Sequence, residues 1–248
     1  MRRFLAVSTL ILVGSLTTGT ANACVLYGEH VTDGTLDLTW FACYEANAFE
    51  AYTLNPEEDP CYPNPGGDGY VGKLVGTFAG PHALGSTLSG DGDLGDYRVD
   101  VWICVGAGNA KRGILFRSSE DCSMGYQLIL DAGMFTLMFR YADGGMMPIT
   151  IASWSAGNIP GGIPAVNTWH KFSIEGIGDQ FYVYWDDVLL DGCPVTHGEI
   201  ASGYFGLYLF SAEPTDITLI ADDIVASDFD PSAVDQSTWG AIKRMYVR

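Results

Sequence analysis

Trp169-His170-Lys171-Phe172-Ser173-Ile174-Glu175-Gly176 alternates polar and apolar side chains, and after Gly176 to Asp179 the alternation resumes in Phe181-Tyr182-Val183-Tyr184-Trp185. A period of two means extended chain with successive side chains on opposite faces, and the aromatic and β-branched content suits a half-buried pleated surface. The pair reads as a hairpin. Asp186-Asp187 supplies a short acidic turn that tolerates positive φ, and Val188-Leu189-Leu190 returns from it. Tyr204 to Phe210 and Ile217 to Ala226 add two more apolar-rich strands separated by Pro214. Strands recur about every 10 to 15 residues with no helical stretch between them, which predicts an all-β domain.

Working upstream, Tyr97, Val99, Val101, Ile103 and Val105 share one face of a strand whose other face carries Arg98, Asp100, Trp102 and Cys104. The first set is the expected core. Gly113-Ile114-Leu115-Phe116-Arg117 places Leu115 and Arg117 on one side, and Tyr126, Leu128 and Leu130 alternate with Gln127, Ile129 and Asp131. Met134 to Tyr141 alternates as well, and Ala142-Asp143-Gly144-Gly145 closes a hairpin after it.

Several motifs in this order carry a family resemblance: Gly113-Ile114-Leu115-Phe116-Arg117, Gly125-Tyr126-Gln127-Leu128, Trp169-His170-Lys171-Phe172-x-Ile174-Glu175, Tyr182-Val183-Tyr184-Trp185-Asp186-Asp187, Gly203-Tyr204-Phe205-Gly206-Leu207-Tyr208 and Ala221-Asp222-Asp223-Ile224-Val225. From roughly Tyr97 to Ala226 the chain resembles a concanavalin A-like jelly roll, close to its laminin-G-like and 3-keto-disaccharide hydrolase-like branches. The resemblance implies a two-sheet antiparallel β-sandwich in which the first strand pairs with the last. That pairing would bring Asp33 or Asp37 near Asp222 and Asp223. Lectins, sugar-binding modules, hydrolases and adhesion domains all use this sandwich, so the resemblance names an architecture and not a chemistry.

The chain has 248 residues, 48% of them apolar, enough for one sandwich domain with a substantial core. Met1-Arg2-Arg3, the apolar run Phe4 to Leu16 and Ala21-Asn22-Ala23 read as a secretory signal over residues 1–23. The rival processing, a lipoprotein acylated at Cys24, fits poorly because Ala21 stands where a larger aliphatic residue is usual. The run is too short for a membrane span, and nothing later approaches one. The domain is then expected over residues 24–228, with a C-terminal tail over 229–248. The tail turns basic, and Trp239, Ile242 and Met245 or Tyr246 fall at helical spacing, which suggests a sorting or attachment segment. The expected location is secreted, periplasmic or cell-surface.

Export permits disulfides among Cys24, Cys43, Cys61, Cys104, Cys122 and Cys193, for which 15 complete pairings exist. Proximity in the chain favours Cys43 with Cys61. Between Asn55 and Gly69 proline, glycine and acid are dense, which makes a long surface loop. Ser89 to Asp96 contains Gly90, Gly92 and Gly95 in the spacing of a dinucleotide fingerprint, but a phosphate cradle needs bare amides opening a helix, and this loop carries three aspartates and leads into a strand. The formal charge is −18, and loss of Arg2 and Arg3 makes it more negative. Such a surface repels nucleic acid and anionic membrane and suits calcium or neutral ligands.

For chemistry, a retaining glycosidase needs two carboxylates about 5–5.5 Å apart. The laminarinase-like branch of the resembled fold carries Glu-x-Asp-x-x-Glu or a close variant along one strand, whereas here Asp100 stands alone with Trp102 and Cys104 at the next two positions on its face. His30, His82, His170 and His197 accompany no nucleophile motif, and no H-E-x-x-H occurs. What remains is recognition: sugars stack apolar faces on aromatic rings and exchange hydrogen bonds with Arg, Asp, Gln and Asn. By alternation and by resemblance Asp100, Trp102, Arg117, Tyr126, Tyr184 and Tyr208 fall on strands that could line one groove. Asp33, Asp222 and Asp223 are the candidate calcium ligands, since acid inside the apolar run Ile217 to Val225 needs a partner. The expected function is a noncatalytic carbohydrate-binding or surface-interaction module, with a hydrolase similar to the 3-keto-disaccharide hydrolase-like proteins or a laminin-G-like adhesion domain as alternatives.

Overall fold

In the computed structural model the described residues are 25–43, 49–79, 82–106, 108–145, 147–213 and 215–228. The expected signal and tail lie outside them, as does Cys24. The strands are Val25–Glu29 (β1), Phe41–Ala42 (β2), Phe49–Thr53 (β3), Tyr70–Ala79 (β4), His82–Ser89 (β5), Tyr97–Val105 (β6), Lys111–Ser118 (β7), Met124–Asp131 (β8), Thr136–Asp143 (β9), Ile149–Ser155 (β10), Thr168–Ile177 (β11), Gln180–Trp185 (β12), Val188–Leu189 (β13), Val195–Thr196 (β14), Tyr204–Ser211 (β15) and Ile217–Asp228 (β16). One 3₁₀ turn, Ala156–Asn158, follows β10. No helix among the described residues is long and apolar enough to cross a membrane.

All pairings are antiparallel and fall into two layers. Sheet A runs β3-β4-β16-β6-β11-β12-β13, with β1 on the second half of β16 and β14 on β12; sheet B runs β10-β9-β8-β7-β15-β5, with β2 on β5. Strand β4 joins them, pairing through Gly72 to Gly76 with β16 and through Thr77 to Ala79 with β5. Glycine at this corner is required by close approach: a Cβ on Gly76 would lie 2.9 Å from Ile217 Cγ1, and one on Gly85 3.1 Å from Gly76 Cα. The first strand does pair with the last, Glu29 opposite Ile224.

The core lies between the sheets. Tyr97, Val99, Val101 and Ile103 point inward from β6 as their alternation required, and all are fully buried. Phe116, Tyr126 and Phe139 from sheet B opposite meet Phe181 of β12 in a ring cluster with centroid separations of 4.4 to 6.1 Å. Burying each such side chain contributes about 1.5–3 kcal/mol. Asp186 and Asp187 both have positive φ, 48° and 64°, so the β12–β13 connection is the two-residue turn whose twist matches the flanking strands.

The cystines are Cys43–Cys122 and Cys61–Cys104. Cys43 does not pair with Cys61, because the loop containing Cys61 folds down onto the outward face of sheet A, where Cys104 sits in mid-strand. Leu54, Cys61, Val71 and Cys104 pack together there, and the Trp169 indole donates to Cys61 O at 2.7 Å. Cys193 is a free, half-buried thiol whose sulfur accepts from Val183 N at 3.4 Å.

Candidate functional site

The six residues expected to share a groove are distributed over three parts of the molecule. Asp100, Trp102 and Tyr184 are together, on the outward face of sheet A. Tyr208 is on the outward face of sheet B. Tyr126 and Arg117 are inside.

On sheet A, register sets Asp100 opposite Ser173 and Trp102 opposite Lys171 on one side and Asp222 on the other. The polar residues of this face are committed to one another. Arg98 donates Nε and Nη2 to Asp100 at 2.8 to 3.0 Å, the Ser173 hydroxyl donates to the same carboxylate, and the Arg98 guanidinium lies 4.6 Å over the Tyr184 ring. Tyr184 in turn donates to Glu175 at 3.1 Å. Burial by itself would raise the Asp100 carboxyl, but the bonds from Arg98 and Ser173 outweigh it and hold the group below the ordinary carboxylate value. A carboxyl depressed on folding stabilises above its unfolded pKa, and that contribution disappears as pH falls through the folded value. Asp100→Asn is therefore expected to cost about 1–3 kcal/mol at neutral pH and to flatten the acid side of the Tm-versus-pH curve below about pH 4. A mutant curve parallel to the wild type down to acid pH would contradict this.

Arg117 is 1% exposed and works as an internal tie. Its φ of 48° and the β15 register shift beside it turn the side chain from the outward side, where parity put it, across the end of the sandwich. There it donates to the carbonyls of Gly95 (3.0 Å), Gly178 (2.8 Å) and Ile200 (3.2 Å) and meets Asp96 at 3.2 Å, so its partner is Asp96 and Asp100 belongs to Arg98. Tyr126 is fully buried between the sheets, and its hydroxyl donates to His197 O at 3.0 Å and accepts from Ile200 N. Neither can line a groove.

The proposed calcium ligands do not converge. Asp33 caps its own turn through Thr35, Asp223 pairs with His30 at 2.9 Å, and Asp222 accepts from the Asn64 amide at 2.8 Å. Burial pushes the Asp222 carboxyl up, against the bond from Asn64. In the glycine-rich loop Asp91 accepts from Asp93 N, and Asp96 from Gly178 N. Among the described residues no group of three or more His, Cys, Asp or Glu side chains is placed to hold a metal.

A larger cavity of about 540 Å³ lies at the edge of sheet A between the Asn55–Gly69 loop and the start of β16, lined by Tyr52, Asp59, Lys73, Glu213 and Asp216; the open site that contains one of the expected aromatic residues is on sheet B. A cavity of about 220 Å³ crosses its outward face obliquely. One corner is His82 and Phe210, whose rings lie 5.4 Å apart and 31° from parallel. The middle is Ser86, Tyr208, Leu115 and Gln127, and the far corner is Ser123 and Pro148. Register explains the assembly: Tyr208 lies between Ser86 and Gly113, and in the adjacent row Leu115 lies between Gly206 and Gln127, with Arg140 beyond. At Gly206 a Cβ would come 2.0 Å from Thr87 O, so no side chain can rise there and the floor stays low beside Tyr208.

Two polar atoms under this face lack a protein partner: Ser86 Oγ, on a side chain with no exposed surface, and Arg140 Nε. Arg140 makes one side-chain bond, Nη2 to Gln127 Oε1 at 2.8 Å. Buried polar groups are almost always satisfied, so two such atoms under one face, Ser86 in the cavity wall and Arg140 bonded to Gln127 of that wall, require an explanation. Among the described residues no carboxylate lines the cavity. Sequence reasoning found Tyr208 and missed Ser86, Arg140, His82 and Phe210. The outward parity of Arg140 was available from Phe139 and Tyr141, whereas the strand holding Ser86 has no alternation to read.

Comparison with known proteins establishes the fold. No family model matches the chain, and no curated protein matches it. Among solved structures, a carbohydrate-binding module from Bacillus subtilis aligns with a TM-score of 0.54 at 20% identity, over 77% of this chain and 98% of that one. A Bacillus subtilis protein of unknown function with a galectin-like fold gives 0.53 at 10% identity, over 83% and 96%. A structure described with endo-acting O-glycanases of human gut microbiota gives 0.53 at 12%, over 83% and 100%. At these identities the likeness is one of architecture: the chain is an antiparallel β-sandwich.

Proposed function

We propose that this chain is an exported, noncatalytic carbohydrate-binding module of concanavalin A-like character, and that it takes its glycan on the outward face of sheet B. The observation that carries this reading is the cavity in which the buried Ser86 hydroxyl, without a partner, stands beside the Tyr208 and Phe210 rings. A pyranose offers what such a site lacks: an apolar face for a ring, and hydroxyls that give and accept hydrogen bonds in fixed directions. The Gln127 amide adds a second polar contact in the lining. A glycosidase would need a carboxylate pair at the bond to be cleaved, and among the described residues none lines this cavity. Two cystines fit an oxidising compartment, in accord with the signal read over residues 1–23. That a carbohydrate-binding module from Bacillus subtilis shares the fold supports this reading.

Tyr208→Ala tests it. The ring is half-buried, so its removal leaves the core packing of β15 on the opposite side in place. Affinity for whichever glycan a glycan array selects is expected to fall by about tenfold or more, as loss of one stacking ring and its contacts implies. Isothermal titration supplies the affinity, and circular dichroism controls for folding. Wild-type affinity in the mutant would remove the groove from the reading, and no glycan bound by the wild type would remove the reading itself.

A further inference from the structure

We infer that the groove is built for an acidic glycan, with the Arg140 guanidinium receiving a sugar carboxylate. This rests on the glycan reading above and specifies the ligand class. Arg140 is 8% exposed, and among the described residues it has no carboxylate partner; its side chain has one neutral acceptor, Gln127, and an idle Nε. A buried guanidinium held this way is costly, and ordinary cores supply it with an acid. The other buried arginine of this sheet with a full set of contacts, Arg117, has three carbonyls and Asp96.

The charge pattern points the same way. The chain carries 30 acidic residues against 12 Lys and Arg, yet among the described residues no Asp or Glu lines the cavity whose wall includes Gln127, the residue to which Arg140 is bonded. Nearby Lys111 is already matched by Asp131 at 3.4 Å, whereas Arg140 has no carboxylate partner among the described residues. The strongly negative chain repels anions at long range, but at physiological salt that repulsion is screened beyond about 8 Å, and contact at the groove decides. A guanidinium suits a carboxylate because its planar N–H groups meet both oxygens.

Register also fixes the extent of the ligand. Ser86 on β5 and Arg140 on β9 are separated by four strand spacings, through β15, β7 and β8, or about 19 Å. A single sugar ring cannot reach both orphaned groups. An oligosaccharide lying across the strands can, its hydroxyls toward Ser86 and Tyr208 and its acidic unit toward Gln127 and Arg140.

The test prints oligogalacturonates and sialylated oligosaccharides beside their carboxyl methyl esters and measures binding of the full chain to each. The ester preserves size and hydroxyls and removes only the charge. Acidic forms bound at least about tenfold more tightly than their esters, with Arg140→Gln abolishing that difference, is the expected result. Esters or neutral glycans bound as well as the acids would overturn the acidic specificity and leave the carbohydrate reading standing. Retention of no glycan in either form would sink both. Should Arg140→Gln fail to fold, the wild-type comparison of acid with ester decides alone.

Discussion

Arg117→Met is expected to destabilise the fold by about 3–5 kcal/mol, the cost of leaving buried groups without their charged partner. Methionine keeps the unbranched apolar stem and loses the guanidinium end, so the larger part of the loss is polar. What disappears is the tie between three connections: Gly95 before β6, Gly178 in the β11–β12 turn and Ile200 before β15 all give their carbonyls to this one guanidinium. Those oxygens would stay behind, partly shielded from water. The magnitude separates the two kinds of partner. The Asp96 side chain is 50% exposed, so its ion pair with Arg117 is screened, and Asp96→Asn, which can still accept from Gly178 N, is expected to cost no more than about 1 kcal/mol. Urea unfolding of both variants checks this. An Arg117→Met protein as stable as wild type but defective in glycan binding would return Arg117 to the ligand site.

The contrast between Arg117 and Trp102 shows what strand alternation can and cannot convey. Parity along Tyr97 to Val105 sorted that strand without error, since Tyr97, Val99, Val101, Ile103 and Val105 are all buried. It also placed Trp102 and Tyr208 facing outward. But outward has two meanings in a sandwich, and only the strand order, with β6 in sheet A and β15 in sheet B, separates them. Arg117 breaks parity itself: a left-handed residue at a register shift turns inward, and nothing in Leu115-Phe116-Arg117 announces it. The stretch Tyr70 to Ser89 was illegible for a different reason. Its glycines Gly72, Gly76 and Gly85 resemble loop residues, yet each sits where another group comes too close for a Cβ, the Phe49 ring at Gly72 and the crossing of the sheets at the other two. His82, Leu84 and Ser86 of the groove stand on that stretch, so the groove could not be seen before the fold was.

The same geometry accounts for the closed central face of sheet A around Asp100 and Trp102. Its upper part is roofed by the Asn55–Gly69 loop, with Asn64 bonded to Asp222 and Tyr52 to Asp59, and its lower part is a closed network around Asp100. Trp102 lies between the two. Polar groups that have satisfied one another gain little from a sugar, because each new bond replaces an existing one. On sheet B the reverse holds: the hydroxyl and the guanidinium are already desolvated and have bonds still to make.

Replacing Cys61 and Cys104 together by alanine is expected to cost about 4 kcal/mol, since the bond closes a chain segment of 43 residues and its loss returns that conformational entropy to the unfolded state. The local consequence should exceed the global one. The loop from Asn55 to Gly69 contains no strand, and apart from the cystine it is held to sheet A by single hydrogen bonds, among them the Trp169 indole on Cys61 O, Asn64 on Asp222 and on Tyr70 O, and the Tyr52 hydroxyl on Asp59. Single hydrogen bonds of this kind contribute about 0.5–1.5 kcal/mol each, too little to hold a proline- and glycine-rich loop that has regained its freedom. Freed from its roof, the Asp222 carboxyl would regain water and lose the burial that now raises it. A carboxyl raised in the folded state gives up stability as pH rises from its unfolded value through its folded one, so relieving the burial returns part of the loss at neutral pH and makes the double mutant less sensitive to pH across that window. Thermal unfolding at several pH values, with hydrogen exchange of the loop amides, measures both effects. Binding at the groove of sheet B, on the opposite face of the sandwich, should survive in whatever fraction remains folded. A double mutant whose loop amides stay as protected as in the wild type would mean that the loop is held by its hydrogen bonds and that the cystine is incidental to it.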